Sequence, residues 1–335
     1  MTDPQNADIQ PTREITFREA ICEAMSEEMR RDESVFLIGE DVGKSGGIFK
    51  CSEGIWEEFG SDRVIDAPIA EEGYIGLSVG AAMTGMRPIA ELMFGDFAML
   101  TMDQLVNQAA KIRYMTGGQC KVSLTVRLSM GAGRSSAAQH SQSLHALFAH
   151  IPGLKVAIPS CPADAKGLLK SAIRDDNPVL FFEDKMMYND VGPVAEDDYV
   201  IPLGVADIKR QGTDVTLVAT SSMVGLSLEA AEVLAGEGIE AEVVDVRSLY
   251  PLDADTLVES AKKTGYAVVV DEGAARYGVT GELASVIQER AFDWLDGPVL
   301  RIAGADVPLP FSPTLELPTI PGVDRVVDTV RSLRR

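Results

Sequence analysis

Val35-Phe36-Leu37-Ile38-Gly39-Glu40-Asp41 is an unbroken apolar run that stops at a glycine and two acids. Continuous apolarity over this length is the pattern of a strand covered on both faces, and its polar end marks a functional loop. Upstream, Thr16-Phe17-Arg18-Glu19 has capping-box spacing, and Phe17, Ala20, Ile21, Ala24 and Met25 then recur at helical intervals, predicting a helix to about Arg31. Downstream the alternation repeats. Helices are predicted over 71–85, 97–114 and 162–173, and strands over 87–93, 122–128, 155–158 and 179–182. From Asp184 to Leu203 the pattern lapses into Asp, Gly, Pro and Glu. A second alternating unit follows, with strands over 215–219, 241–246, 267–270 and 299–302 and helices over 223–235, 254–263 and 281–292. The expected fold class is α/β, with two domains, each a mostly parallel sheet flanked by helices. The expected division is a disordered tail over 1–14, a first domain over 15–190, a linker over 191–203 and a second domain over 204–335.

The 335 residues carry 51 Asp and Glu against 30 Lys and Arg, a formal net charge of −21. Such a surface repels phosphate backbones and anionic lipid, which argues against nucleic acid and membranes as partners and suits a basic protein. Cys22, Cys51, Cys120 and Cys161 are scattered without paired spacing, the pattern of reduced thiols in a cytoplasmic protein. Met1 to Pro11 is polar and lacks a basic start followed by an apolar run, so it reads as neither a secretion signal nor a membrane span.

All three histidines, His140, His145 and His150, fall within Ala137–His150. Histidine titrates nearest neutrality, so such clustering points to proton transfer or hydrogen bonding to a reacting group. Metal ligation is the rival reading. Five-residue steps turn a helix by about 140°, so adjacent members share no face, and no cysteine pair or acid joins them at ligand spacing.

Gly39-Glu40-Asp41-Val42-Gly43, Asp66-Ala67-Pro68-Ile69-Ala70-Glu71-Glu72-Gly73, Asp103–Lys111, His140-Ser141-Gln142-Ser143, Pro152–Val156 and Asp164–Leu169 stand in an order and spacing that is specific as a set. By these residues the chain resembles, across nearly its whole length, the β subunit of the thiamine-diphosphate-dependent first component of 2-oxo acid and acetoin dehydrogenase complexes, a relative of transketolase. Leu249-Tyr250-Pro251-Leu252-Asp253 and Val307–Ser312 extend the resemblance to the carboxy-terminal part. It implies a transketolase-like pyrimidine-binding domain followed by a transketolase C-terminal domain.

By this resemblance Glu71 hydrogen-bonds the aminopyrimidine ring of the cofactor, sharing a proton with a ring nitrogen. Without it, Glu71 and Glu72 read simply as favourable charges in a first helical turn. Phe97 and Met93 match positions bordering the aminopyrimidine, where a flat apolar side chain fixes ring orientation; both also read as ordinary core residues. His140 matches the histidine expected to hydrogen-bond the ketone oxygen, whereas His145 and His150 read as loop packing. Leu124, Ala172, Asp175 and Asn177 match positions that hold a potassium ion in some relatives, and Arg174-Asp175-Asp176-Asn177-Pro178 reads equally as a helix-ending turn.

Gly95-Asp96-Phe97 lacks the second glycine and the later Asn-Asn of the magnesium and diphosphate motif of thiamine enzymes. An anionic diphosphate needs a divalent metal and backbone donors. The diphosphate and its magnesium are therefore expected on an α subunit, in an assembly of two α and two β chains. The implied reaction is decarboxylation of a 2-oxo acid, with pyruvate favoured by the 137–153 segment, and acyl transfer to the lipoyl group of a partner transacylase. Acetoin cleavage is the alternative. Branched-chain 2-oxo acids, a catalytically idle scaffold and a half-transketolase acting on sugar phosphates are the outsiders. The last would need basic residues near His140, where the sequence offers Arg127 and Arg134.

Overall fold

The computed structural model describes residues 13–333. The expectation for the tail therefore lies outside the described residues up to position 12, while Arg13 and Glu14 are ordered in a strand. The first half runs β1 (Arg13–Thr16), α1 (Phe17–Arg31), β2 (Val35–Gly39), α2 (Ile55–Phe59), β3 (Val64–Asp66), α3 (Glu71–Met83) and β4 (Arg87–Leu92). It continues through α4 (Ala110–Met115), β5 (Thr125–Met130), α5 (His145–Ala149), β6 (Lys155–Ala157), α6 (Pro162–Arg174), β7 (Val179–Asp184) and β8 (Val191–Val194). The second half holds β9 (Asp207–Arg210), β10 (Val215–Ala219), α7 (Ser222–Ala235), β11 (Ala241–Asp245), β12 (Ser248–Tyr250) and α8 (Ala254–Thr264). It ends with β13 (Ala267–Ala274), α9 (Val279–Ala291), β14 (Leu300–Gly304), α10 (Pro313–Glu316) and α11 (Val323–Leu333).

A seven-stranded sheet has the order β12-β6-β7-β5-β4-β2-β3, parallel except for β12. Its central strands are apolar on both faces. Val35 and Leu37 of β2 pack with Phe17, Ile21 and Leu168 under α1 and α6, while Phe36 and Ile38 pack with Ile75, Val79 and Leu105 on the other side. The capping box forms as read, with Thr16 accepting from the Glu19 amide and the Glu19 carboxylate accepting from the Thr16 amide. Pro162 begins α6, where a missing N–H costs nothing.

The five-stranded sheet β14-β13-β10-β11-β9 is parallel except for β9. Val215, Leu217, Val268 and Val270 face Leu234, Val326 and Val330 of α7 and α11. The opposite face, through Val218, Val244 and Val269, joins the same apolar core as Phe148 of α5 and Phe182 of β7. The two modules thus share a core. Their entanglement goes further, because β12 is drawn from the second half of the chain to cap the edge of the first sheet beside β6.

The span 191–203, expected as a linker, opens with β8, which pairs antiparallel with β1. Two other expectations are corrected. The helix expected over 97–114 is instead a tight 3-10 winding (Gly95–Thr101), a wide π winding (Asp103–Ala109) and only then α4. Close packing at its start accounts for part of this, since a Cβ on Gly95 would stand 2.9 Å from the Ser129 carbonyl oxygen. The strand expected over 122–128 starts at Thr125, after a bend in which the Leu124 amide bonds the Val122 carbonyl. Among the described residues no helix is long and apolar enough to cross a membrane.

Candidate active site

The loops that follow β2, β3, β4, β5 and β7 leave the first sheet at its carboxyl edge, the usual ligand-binding edge of an open parallel sheet. They bring Glu40, Glu71, Phe97, His140 and Lys185 to one end of the molecule.

Glu71 is the first residue of α3 and is only 6% exposed. It opens into a hollow of about 540 Å³ lined by Ala70, Glu72, Gly73, Leu100 and Gln104. Glu72 points outward and receives a long bond from Gln104 (3.4 Å), as a solvated neighbour does. Beside Glu71 stands Glu40, also 6% exposed, with its Oε1 buried and, among the described residues, without a hydrogen-bond partner. Burial, and then the proximity of Glu71 and Asp41, raise the Glu40 carboxyl above its ordinary range. Two acids with little solvent and an orphaned oxygen form a site suited to sharing a proton with a polar ligand.

Phe97 and His140 meet. Their ring centroids lie 5.4 Å apart at 82°, and Phe94 completes the cluster at 4.6 Å from His140 and 5.8 Å from Phe97. The half-buried imidazole is therefore held by two aromatic edges. Asp96, between those phenylalanines, accepts from the Gln142 amide (3.2 Å) and from its side chain (2.7 Å), tying down the chain two residues past His140. Lys185 approaches from β7, donating to the His140 carbonyl oxygen (2.6 Å) and lying 5.6 Å from the Phe94 ring. Met93 sits lower, on a small cavity of about 10 Å³ shared with Phe49, Arg127 and Tyr188.

Arg127 is not free for an anionic substrate. It is 2% exposed and bonds Glu91 at 2.5 Å and Glu183 at 2.7 and 2.8 Å. Arg134 lies 5.6 Å from the Phe49 ring. His145 does not merely pack in a loop but opens α5 and bonds Asp271, whereas His150 is exposed.

Leu124, Ala172, Asp175 and Asn177 gather where α6 turns into β7. The Asp175 amide bonds the Ala172 carbonyl and the Val179 amide bonds that of Leu124. The side-chain oxygens are already engaged by cations, Asp175 by Lys155 and Asn177 by Arg113. Among the described residues no cluster of three or more His, Cys, Asp or Glu stands ready to hold a metal.

The chemistry that the sequence singled out at Glu71 and His140 is joined by two residues to which it gave no role. Glu40 was visible as the acid ending an apolar strand, and Lys185 follows β7 in the same way. Their meeting depends on which strand ends are neighbours.

Residues 13–191 match the model of the transketolase pyrimidine-binding domain and residues 204–326 that of the transketolase C-terminal domain. The β subunit of acetoin:2,6-dichlorophenolindophenol oxidoreductase of Bacillus subtilis is 50% identical, over 96% of this chain and 97% of its own. The pyruvate dehydrogenase E1 component subunit beta of Rhizobium meliloti is 48% identical, over 95% of this chain and 70% of its own. A solved structure described as a split gene transketolase, inactive beta4 tetramer, superposes with a TM-score of 0.78 at 28% identity, covering 96% of this chain and 99% of that one.

Proposed function

We propose, from the premise that this chain belongs to the transketolase family as a β subunit of the 2-oxo acid and acetoin dehydrogenase type, that it acts with an α subunit on pyruvate. In this reading the assembly, of two α and two β chains, decarboxylates the 2-oxo acid and reductively acylates the lipoyl group of a partner transacylase. The observation that carries it is the pairing of buried Glu71 and Glu40 beside an open hollow, at the same sheet edge as the Phe97–His140 cluster.

Thiamine diphosphate fits this site, because the unpartnered buried oxygen of Glu40 and the neighbouring Glu71 suit the polar edge of an aminopyrimidine. When bound, it supplies a nucleophilic carbon for the substrate carbonyl and an electron sink for loss of carbon dioxide. Glu71 holds a proton at a pyrimidine nitrogen. Phe97 would pack against the ring, and Met93 would border it from the small cavity below. His140 donates a hydrogen bond to the substrate ketone oxygen, where negative charge develops.

The diphosphate and magnesium belong to the α subunit in this reading. The sequence supports that division, since Gly95-Asp96-Phe97 lacks the second glycine and the later Asn-Asn of a diphosphate and magnesium motif. Potassium at the turn of 172–177 is proposed only through main-chain oxygens, because Lys155 pairs with the Asp175 carboxylate and Arg113 hydrogen-bonds the Asn177 side-chain oxygen. A basic binding domain of the transacylase suits the acidic surface, and four unpaired cysteines suit a cytoplasmic setting.

The second reading is acetoin cleavage, favoured by the 50% identity to the Bacillus subtilis subunit over almost the whole of both chains. The deciding experiment compares kcat/KM for pyruvate, branched 2-oxo acids and acetoin in the reconstituted α and β pair. Pyruvate is expected to be preferred; a preference for acetoin selects the second reading, and inactivity toward every ketone in a correctly assembled pair leaves only the scaffold.

A further inference from the structure

His140 is carried by a loop whose backbone needs holding. Between Gly131 and His140 the chain enters the left-handed region four times, at Gly131 (φ 96°), Gly133 (φ 99°), Ser135 (φ 55°) and Ala137 (φ 63°). Non-glycine residues persist in such conformations only where the surroundings enforce them. At Gly131 glycine is required on a second count, since a Cβ would stand 2.8 Å from Asp184 Oδ1 and 2.9 Å from Glu272 Oε1.

Two fully buried charged side chains grip this loop from opposite modules. Lys185 of the first module donates from Nζ to the carbonyl oxygens of Gly131 and His140, both at 2.6 Å, and so ties together the two ends of the loop. Glu316, the last residue of α10 in the second module, accepts from the Gly133 amide through Oε1 (2.9 Å) and from the Ser135 amide through Oε2 (2.8 Å). Among the described residues neither charge has an oppositely charged side chain within 4.0 Å. Burying an ion is costly unless its hydrogen bonds are met, and here they are met by the main chain of a single loop. A residue needed only for packing at either place would not have to be charged.

We propose that Glu316 and Lys185 are positioning residues for His140, the carboxylate holding the loop's amides and the ammonium its carbonyls, so that the second module sets the placement of an imidazole in the first module's site. This rests on the role given to His140 above. It assigns the C-terminal module a part in catalysis in addition to assembly.

The test uses the reconstituted α and β complex carrying Glu316→Gln, Lys185→Met, His140→Ala and the double variant Glu316→Gln/His140→Ala. Glutamine keeps the size of Glu316 but only one acceptor, so kcat should fall between about tenfold and about a hundredfold, the scale of a misplaced catalytic group. KM and thiamine diphosphate affinity should hold. The pH limb of kcat that His140→Ala abolishes should shift in Glu316→Gln, and the double variant should lose no more than His140→Ala alone. Hydrogen exchange should quicken at Gly133 and Ser135 and remain unchanged elsewhere in the first module. Parental kcat in Glu316→Gln, with His140→Ala impaired, overturns the proposal; if Lys185→Met fails to fold, Glu316→Gln decides alone. Should His140→Ala be as active as the parent, the assignment of His140 fails instead, and unchanged exchange at Gly133 and Ser135 is then the result that sinks the clasp.

Discussion

His145 of the first module and Asp271 of the second face each other across the module boundary, Nε2 lying 3.1 Å from Oδ1, with neither side chain more than 2% exposed. Asp271 also accepts from the Thr220 hydroxyl (2.5 Å) and the Gly273 amide (2.8 Å). Both residues line a hollow of about 970 Å³ that also reaches Tyr250, Tyr277 and Arg301. The contact fixes the start of α5 and hence the exit of the segment that follows His140.

Removing the acid should be felt as stability. Burial pushes the Asp271 carboxyl up, but His145, Thr220 and Gly273 more than offset this and hold it below its ordinary value. Its stabilisation is therefore present above the unfolded value of about 3.9 and is lost as pH falls through the lower folded value. Asp271→Ala should cost about 3–5 kcal/mol at neutral pH in urea unfolding, the scale of a broken buried pair. A loss confined to a few tenths would mean that the contact is incidental.

Glu71→Ala should remove turnover while leaving assembly with the α subunit intact. Loss of a proton-sharing group costs about 10²- to 10⁴-fold, read as kcat in the reconstituted complex beside its elution volume. Full activity would refute the assigned role.

Arg127→Met should leave Glu91 and Glu183 as buried, uncompensated carboxylates at a cost of about 3–5 kcal/mol. Burial already holds the Glu183 carboxyl above its ordinary value, against the pull of Arg127. Without the guanidinium that rise grows, and an acid with a raised folded value loses stability as pH climbs above its unfolded value of about 4.3. The deficit should hence shrink on acidification toward that value, checked by denaturant melts across pH. A deficit that widens with acid would contradict this.

Much of this architecture was legible locally. The capping box at Thr16 and Glu19, the doubly buried β2 and the proline opening α6 are written in neighbouring residues, and they stand where periodicity placed them. The short edge strands β9 and β12 escaped, because four or three residues carry no period and their pairing is decided by distant partners. The change of winding from Gly95 to Met115 escaped for a related reason: apolar spacing does not separate tight turns from wide ones, and packing around Phe94 and Phe97 does. At the site, the sequence singled out Phe97 and His140, whose rings meet, whereas Lys185 and Glu316 became visible only when strand ends and modules were juxtaposed. Arg127 shows the opposite failure, a cation that reads as available and is locked between two acids.

Asp245 should give the chain a stability slope near neutrality. Burial first, and Asp164 second, push its carboxyl up to about 7. Burial would raise Asp164 too, yet Lys209 and Arg247 bring that group down to about 2. With a raised folded value, ionising Asp245 destabilises the fold as pH climbs from about 4 toward 7. Asp245→Asn keeps the oxygen that accepts from the Arg247 amide (3.0 Å) and should flatten that slope, gaining on the parent between pH 5 and pH 8 in thermal melts. Parallel curves would refute the assignment.

Because Ser248–Tyr250 leaves its own half of the chain to seal the margin beside Lys155–Ala157, the two halves are poor candidates for exchange as cassettes. A chimera cut anywhere between 195 and 206 would bring a foreign three-residue seam to that margin, or none, leaving bare amides and carbonyls as a template for self-association. Recombination among relatives is thereby steered toward whole-chain replacement.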